Sequence, residues 1–414
     1  MTKPKTDLTP IAKQPALNPM PRLHIALVTE TWRPEINGVA MTLGRMTDGL
    51  RHLGHRFTLV RPRQHADDLP ATETGLHELL VVGCPIPGYR GLRFGLPAKS
   101  RLITAWGKDR PDIIQIATEG PLGASAIAAA RQLNIPIVSE FHTNFHAYSR
   151  HYGISWLEGL VTMHLRRFHN KSAVTLAPTF AVARELTNAG FRSVRVISRG
   201  IDTALFNPHR RSMALRKEWG VGEEQLVVTY VGRLAAEKNL PLVTQAFAAI
   251  RKLHPTARLL FVGDGPMRAQ LQRSDATYIF AGMRRDDDLA AHYASADLFL
   301  FPSLTETFGN VTLEALASGL GVVAYDCAAA NELIRDGDNG RVVPSNHEDA
   351  FIAATLELAR NPAILTTLRE RAHTSVRHLD WGHISGQMAE VFHRTIKSHD
   401  RQQPNDVIFR FAPD

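Results

Sequence analysis

The sequence predicts an α/β fold: two doubly wound, Rossmann-like domains in tandem, facing each other across a cleft. Three observations predict it. Continuous apolar runs that end in polar residues recur along the chain, as strands buried on both faces of a parallel sheet require. Helical patterns with apolar residues three and four apart lie between those runs. After about residue 200 the alternation starts afresh with no short repeat, so the repetition is at the scale of a domain.

The first strand is LHIALVTE (23–30), followed by the loop TWRPEING. A helical pattern then places Val39, Leu43, Met46 and Leu50 on one face. Gly54 stops it, and RFTLVRP is the next strand, which completes one βαβ unit. PDIIQIAT (111–118), GASAIAAARQLN (123–134), IPIVSEFHT (135–143) and SAVTLAPT (172–179) continue the alternation, and FRSVRVISRGID (191–202) closes it. Pro208 in SRGIDTALFNP marks the boundary, so residues 21–200 form one domain and 201–381 the next. The second domain runs QLVVTYVGRL (225–234), LPLVTQAFAAIRKLH (240–254) and ARLLFVGDGP (257–266), then ATYIFAGMR, DDLAAHYASAD, LFLFPSL, VTLEALASG and LGVVAYDC.

The bulk composition bounds the function. At 44% hydrophobic and 21% charged the chain is of ordinary globular composition, and it has no run of eighteen apolar residues to cross a membrane. The first twenty residues hold four prolines and no apolar stretch, which predicts a disordered tail rather than a signal peptide. Cys84 and Cys327 match neither a disulfide framework nor a zinc spacing, and this usage points to a reducing cytoplasm. Charge divides with the domains: 22 Lys and Arg against 13 Asp and Glu over 21–200 (+9), and 23 against 26 over 201–414 (−3). The basic half suits phosphate groups or an anionic membrane surface, and equally a plain solvated surface. The stretch HLRRFHNKS (164–172) carries the same two readings.

Three loops of the second half follow strands, so they should open on one edge of its sheet. VGRLAAEKNL carries Arg233 and Lys238, VGDGPMR carries Asp264 and Gly265, and SLTETFGNVTLEA carries Glu306 and Glu314. An arginine and a lysine five residues apart can hold a pyrophosphate, one bidentately and one as a point charge. Gly309-Asn310-Val311 turns directly into a helix, whose free N–H groups and dipole favour an anion. Glu314 is expected in the first turn of that helix, where a carboxylate suits the dipole even with no ligand. Glu306 has no such structural duty, and a carboxylate there can accept hydrogen bonds from sugar hydroxyls.

The ordered set GR…K, GDGP and Glu-x7-Glu with an internal FGN turn resembles retaining glycosyltransferases of family 4 with the GT-B fold, from about residue 23 to 395. That resemblance implies that Arg233 and Lys238 bind the donor diphosphate, that Glu306 contacts the donor sugar and that Glu314 holds the ribose. It implies main-chain contacts to sugar and phosphate from Phe308, Gly309, Asn310 and Val311, and a base-binding edge at Met283 and Arg284. From the first domain it brings Gly38, in a glycine loop that caps the diphosphate, with Asn37 where many members have a second glycine. Asn tolerates a positive φ, which would preserve such a turn. His142 in SEFHTNFHAYSRHYG matches a histidine that contacts the donor sugar near the reacting carbon. His146 and His151 carry nothing over, and a metal reading of the three lacks a paired acidic cluster.

The openings ETWRPEINGV and FHTNFHAYSRHYG resemble the branch with GDP-mannose-dependent mannosyltransferases and glycosyl-diacylglycerol synthases. DWGHISGQMAEVFHRTI resembles a final helix, expected at 382–398, that crosses back to the first domain. The implied activity is retaining transfer of a hexose from GDP-mannose or a UDP-hexose to a lipid or glycolipid hydroxyl. It calls for no metal or other cofactor and no nucleic acid, on a cytoplasmic chain that sits peripherally on the membrane. The alternatives are a sugar-nucleotide epimerase, which needs no acceptor, a phosphorylase, which needs a lysine-bound pyridoxal group, and a non-catalytic protein that senses nucleotide sugars.

Overall fold

The computed structural model describes residues 21–402 except 36, 66, 86–92 and 143–157. The expected tail at 1–20, and His146 and His151, therefore lie outside the described residues.

The first half is built on an eight-stranded sheet. Its strands are β1 (His24–Val28), β2 (Arg56–Pro62), β3 (Thr72–Glu73), β4 (Leu76–Val81), β7 (Ile113–Ile116), β8 (Ile137–Glu140), β9 (Val174–Ala177) and β10 (Val194–Val196), in the spatial order β10-β9-β8-β7-β1-β2-β4-β3. All pairs are parallel except β3 with β4. A small antiparallel hairpin joins β5 (Gly83–Pro85) to β6 (Arg93–Gly95). Every residue of β1 is buried, as its unbroken apolar run requires at the centre of a sheet covered on both faces. The sequence reading passed over β4, the hairpin and the helix Lys99–Lys108, whose apolar runs are short and interrupted by polar residues.

The second half carries a six-stranded parallel sheet: β11 (Val227–Val231), β12 (Arg258–Val262), β13 (Ile279–Gly282), β14 (Leu298–Phe301), β15 (Gly321–Tyr325) and β16 (Arg341–Val343), ordered β13-β12-β11-β14-β15-β16. The strand order reverses beside β1 in the first sheet and beside β11 in the second, and such reversals open the crevice in which doubly wound sheets bind ligands.

The chain passes between the halves twice, at neighbouring places. Ile201 in the outgoing connector forms a parallel bridge with Asp380 in the returning one. The returning segment becomes a helix, Trp381–Gln402, longer at both ends than the expected 382–398. It lies on the helix α1 (Gly38–His52), where Gly49 stands so close to Ser385 that any side chain at Gly49 would collide with it. Met388 and Phe392 of the returning helix are fully buried, each worth about 1.5–3 kcal/mol of apolar burial. Among the described residues no helix is long and apolar enough to cross a membrane.

Candidate functional site

The loops after β12, β11 and β14 stand side by side because those strands are neighbours, so residues far apart in sequence meet at one sheet edge. Glycine makes the close approach possible. A side chain at Gly263, whose φ is +131°, would run into the carbonyl of Gly232, and one at Gly265 into the carbonyl of Leu234. The backbone then joins the loops directly, with Leu234 N–H donating to Asp264 O at 2.9 Å.

Lys238 ends a short 3-10 turn after β11 and forms an ion pair with Glu306 Oε1. Ser303 Oγ donates to the same oxygen at 2.9 Å. Arg233 leaves its side chain 64% exposed, with Glu237 at 3.7 Å as an ion-pair partner, so its guanidinium is available to the cleft. Gly309 sits at φ +83° and opens the helix Asn310–Ala317, whose N-terminus has no side-chain cap. Its first N–H groups therefore remain available to a ligand.

Glu314 requires a correction. With Gly309 at the N-cap it falls in the second helical turn, not the first, and it faces inward. It is 7% exposed and accepts from Tyr293 Oη at 2.9 Å. Burial pushes its carboxyl up to about 7, against the Tyr293 hydrogen bond that lowers it. Phe308 is buried, and its carbonyl already accepts from Ala329 N–H at 2.7 Å, which leaves the half-buried Gly309, Asn310 and Val311 as the accessible part of the turn. At the far edge strand, Met283 is exposed, while Arg284 is held to its own loop through Ala281 O and Asp288, both at 2.9 Å. From the β14 loop to the β13 loop is three strand spacings, roughly 14 Å, enough for an extended ligand.

The first half meets this edge with the start of α1. Asn37 is not in a left-handed turn: its φ is −146°, and its Oδ1 caps the helix by accepting from Ala40 N–H at 2.8 Å. The expectation of a positive φ fails because the turn needs an N-cap there rather than a second glycine. Gly38 begins the helix, and a Cβ on it would lie 3.9 Å from Asn310 Nδ2. The N-termini of two helices, one from each half, thus face each other across the cleft.

His142 lies just beyond β8, beneath the cleft, and the two halves touch through its main chain: Thr307 Oγ1 donates to His142 O at 3.1 Å. Its ring turns inward. Nδ1 is 2.7 Å from Arg199 Nη2, and Nε2 is 2.9 Å from Glu140 Oε2, close but out of hydrogen-bond alignment. A second contact between the halves places Glu332 Oε1 on the N–H groups of Phe180 and Ala181, at 2.8 and 3.2 Å. Sequence reasoning missed Tyr293, Glu140, Arg199, Thr307 and Glu332. All but Glu332 stand in stretches it quoted, Arg199 in SRGID, Glu140 in SEFHT, Tyr293 in DDLAAHYASAD and Thr307 in SLTETFGNVTLEA, and nothing in those stretches says which residues meet. Among the described residues no group of three or more His, Cys, Asp or Glu is arranged to hold a metal ion.

Two family profiles match the chain: one described as Glycosyl transferases group 1 over residues 225–361, and one as Glycosyltransferase Family 4 over residues 36–205. The chain is 32% identical to a GDP-mannose-dependent alpha-mannosyltransferase of Mycobacterium tuberculosis, over 78% of this chain and 84% of that protein. It is 26% identical to an alpha-monoglucosyldiacylglycerol synthase of Acholeplasma laidlawii, over 86% and 93%. In structure it is similar to sucrose-phosphate synthase from Thermosynechococcus elongatus, with a TM-score of 0.76 at 18% identity over 91% of this chain and 100% of that one.

Proposed function

The chain belongs to the family 4 glycosyltransferases, retaining enzymes of the GT-B fold, and on that premise we propose that its cleft moves a hexose from a nucleoside-diphosphate sugar to a lipid or glycolipid hydroxyl. The observation that carries this reading is the pair of facing helix N-termini, at Gly38 and Gly309, beside Arg233 and Lys238. Two positive helix ends and two cations around one point suit a diphosphate, whose negative charge grows as the sugar departs.

The other residues take roles in order along the sheet edge. Glu306 accepts hydroxyls of the sugar, the turn Gly309–Val311 supplies N–H groups, Glu314 holds the ribose, and the base lies toward Met283 and Arg284. The ion pair between Lys238 and Glu306 has a direct consequence. An arriving diphosphate draws Lys238 toward itself and leaves the Glu306 carboxylate to the sugar. With this charge neutralisation supplied by the chain, turnover should persist when divalent cations are chelated.

The donor candidates are GDP-mannose and UDP-hexoses, the first supported by the mycobacterial relative's name. A lipid acceptor is supported by the name of the diacylglycerol relative. The surplus of basic residues over 21–200, with His164, Arg166 and Arg167 on the exposed side of the helix Glu158–His169, suits attachment to an anionic membrane surface. A thermal-shift panel of GDP- and UDP-sugars tests the donor reading, since a ligand at a hundred times its dissociation constant stabilises by about 2.7 kcal/mol. No shift with any nucleoside diphosphate or its sugars would remove the reading.

A further inference from the structure

We infer that Arg199, on the segment joining the two halves, is a positioning residue: it holds the His142 imidazole in one neutral tautomer and so fixes the His142 carbonyl on which Thr307 of the donor half closes. The inference rests on the glycosyl-transfer reading of the cleft.

The argument begins with hydrogen-bonding chemistry. A guanidinium has donors and no acceptor, so the 2.7 Å contact between Arg199 Nη2 and His142 Nδ1 makes Nδ1 the acceptor. The ring proton is then on Nε2, which faces Glu140 Oε2 at 2.9 Å. The second oxygen of Glu140 accepts from Gln115 Nε2. All four side chains are buried, between 2% and 8% exposed, so the array is shielded from competing water. One cation, one carboxylate, a neutral ring and an amide leave it without net charge. A second ring proton would have to sit on Nδ1, pointing at the Arg199 guanidinium. In this arrangement His142 cannot take up a proton from an acceptor hydroxyl without losing Arg199, so its contribution is one of position.

The location of Arg199 gives that position a purpose. The next residue, Gly200, is packed against the Trp381 indole, where a Cβ would come within 2.6 Å of the ring, and Ile201 bridges to Asp380. Arg199 is thus anchored where the chain crosses between the halves. It reaches into the first half to grip the ring whose own carbonyl receives Thr307, the neighbour of Glu306. The geometry of the crossing is thereby transmitted to the donor loop through one side chain.

The test combines kinetics with nitrogen-resolved NMR of the His142 ring, assigned among the 19 histidines by the signal lost in His142→Gln. The wild type should show the proton on Nε2. Arg199→Met should lower kcat about tenfold to a hundredfold, the usual range for losing a hydrogen bond to a charged group, with KM for the donor and nucleoside diphosphate affinity nearly unchanged. Its His142 should no longer hold the proton on Nε2 alone, because Nδ1 loses its donor. Arg199→Lys should recover part of kcat. Thr307→Val should lower kcat while leaving the proton on Nε2, since the array is intact. If Arg199→Met does not fold, Arg199→Met with Glu140→Gln removes both charges together and should show the same kinetic loss.

A wild-type proton on Nδ1, unchanged kcat in Arg199→Met, or unchanged kcat in Thr307→Val would each overturn the inference. Should the wild type bind no nucleoside diphosphate and turn over no donor, the glycosyl-transfer reading fails on its own, and the tautomer still decides whether Arg199 governs the ring.

Discussion

The two halves present their strand ends to the same cleft in opposite ways. In the second half the polar side chains reach outward from glycine-pinned loops: Arg233 is largely exposed, and Lys238 and Glu306 pair with each other at the mouth. In the first half the titratable groups at the strand ends turn inward. The Glu30 carboxyl accepts from Gly95 N–H at 3.3 Å and lies against Gly120, 2.2 Å from where a Cβ there would stand. Burial pushes it up to about 7, against the N–H groups of Gly95 and Leu122. His169 is fully buried, with Ser139 Oγ 2.9 Å from Nδ1 and Glu119 3.4 Å from Nε2. Burial alone would raise the Glu140 carboxyl, but the adjoining His142 ring, the Arg199 cation and the Gln115 amide hold it below its ordinary value. The difference teaches that one half is built to be completed by a charged ligand, whereas the other completes itself and offers mainly backbone.

The comparison can be broken most sharply at Lys238. If the second half depends on a ligand to satisfy it, Lys238→Ala should lower donor turnover about 10²–10³-fold, the range for removing one preorganised group that stabilises developing charge. Loss of less than about threefold would place the charge stabilisation elsewhere.

A pH experiment sharpens it next, because among the described residues burial raises one carboxyl in each half to about 7 from an ordinary 4.5: the half-buried Glu30 in the first and the buried Glu314 in the second. A folded-state value above the unfolded one means that the protonated form favours folding. That stability is complete below about 4.5 and is lost as pH rises through 7, up to about 3 kcal/mol per group. Glu314→Gln should flatten the fall in unfolding free energy between pH 5 and 8 relative to the wild type. An unchanged slope in denaturant titrations would show that Glu314 stays ionised. Nucleoside diphosphate affinity should run the other way and rise over the same interval, as the carboxylate that accepts ribose hydroxyls forms.

The two glutamates of the second half come third. Glu314→Ala should weaken binding of a free nucleoside diphosphate by about ten- to a hundredfold, the loss of a hydrogen bond to a charged group. Glu306→Ala should not weaken it at all, since it releases Lys238 from its ion pair, yet turnover should fall by a similar factor. Calorimetric titration beside donor turnover reads both, and an equal loss of nucleotide affinity in the two variants would abolish the division between sugar and ribose roles. The smallest effect belongs to the outer surface of the first half. The protein should sediment with anionic vesicles at low salt and release as salt rises, and Arg166→Ala with Arg167→Ala should weaken this by about 1 kcal/mol per residue. Equal recovery with neutral vesicles would reduce the basic surplus to a solvated face.

Much of the second half was legible because its chemistry is local. Arg233 and Lys238 lie in one loop and Glu306 to Glu314 in another, each directly after an apolar strand. The direction of Glu314 was not legible. One residue in the helix start moves it from the first turn to the second, and helical rotation then turns it toward Tyr293. Asn37 was misread for a related reason: an asparagine before a glycine suits a left-handed turn and an N-cap alike, and the φ chosen depends on where the helix begins.

The sequence by itself determined the alternation of strands and helices and the family. Apolar period, glycine turns and loop chemistry are all written within a few neighbouring residues. Only the tertiary structure decided that Gln115, Glu140 and Arg199 close around His142, that Gly38 meets Asn310, and that Glu332 reaches Phe180. Those meetings depend on strand order and on how the connector lays one half against the other. Strand order follows from packing summed over whole sheets, which no short stretch of the chain contains.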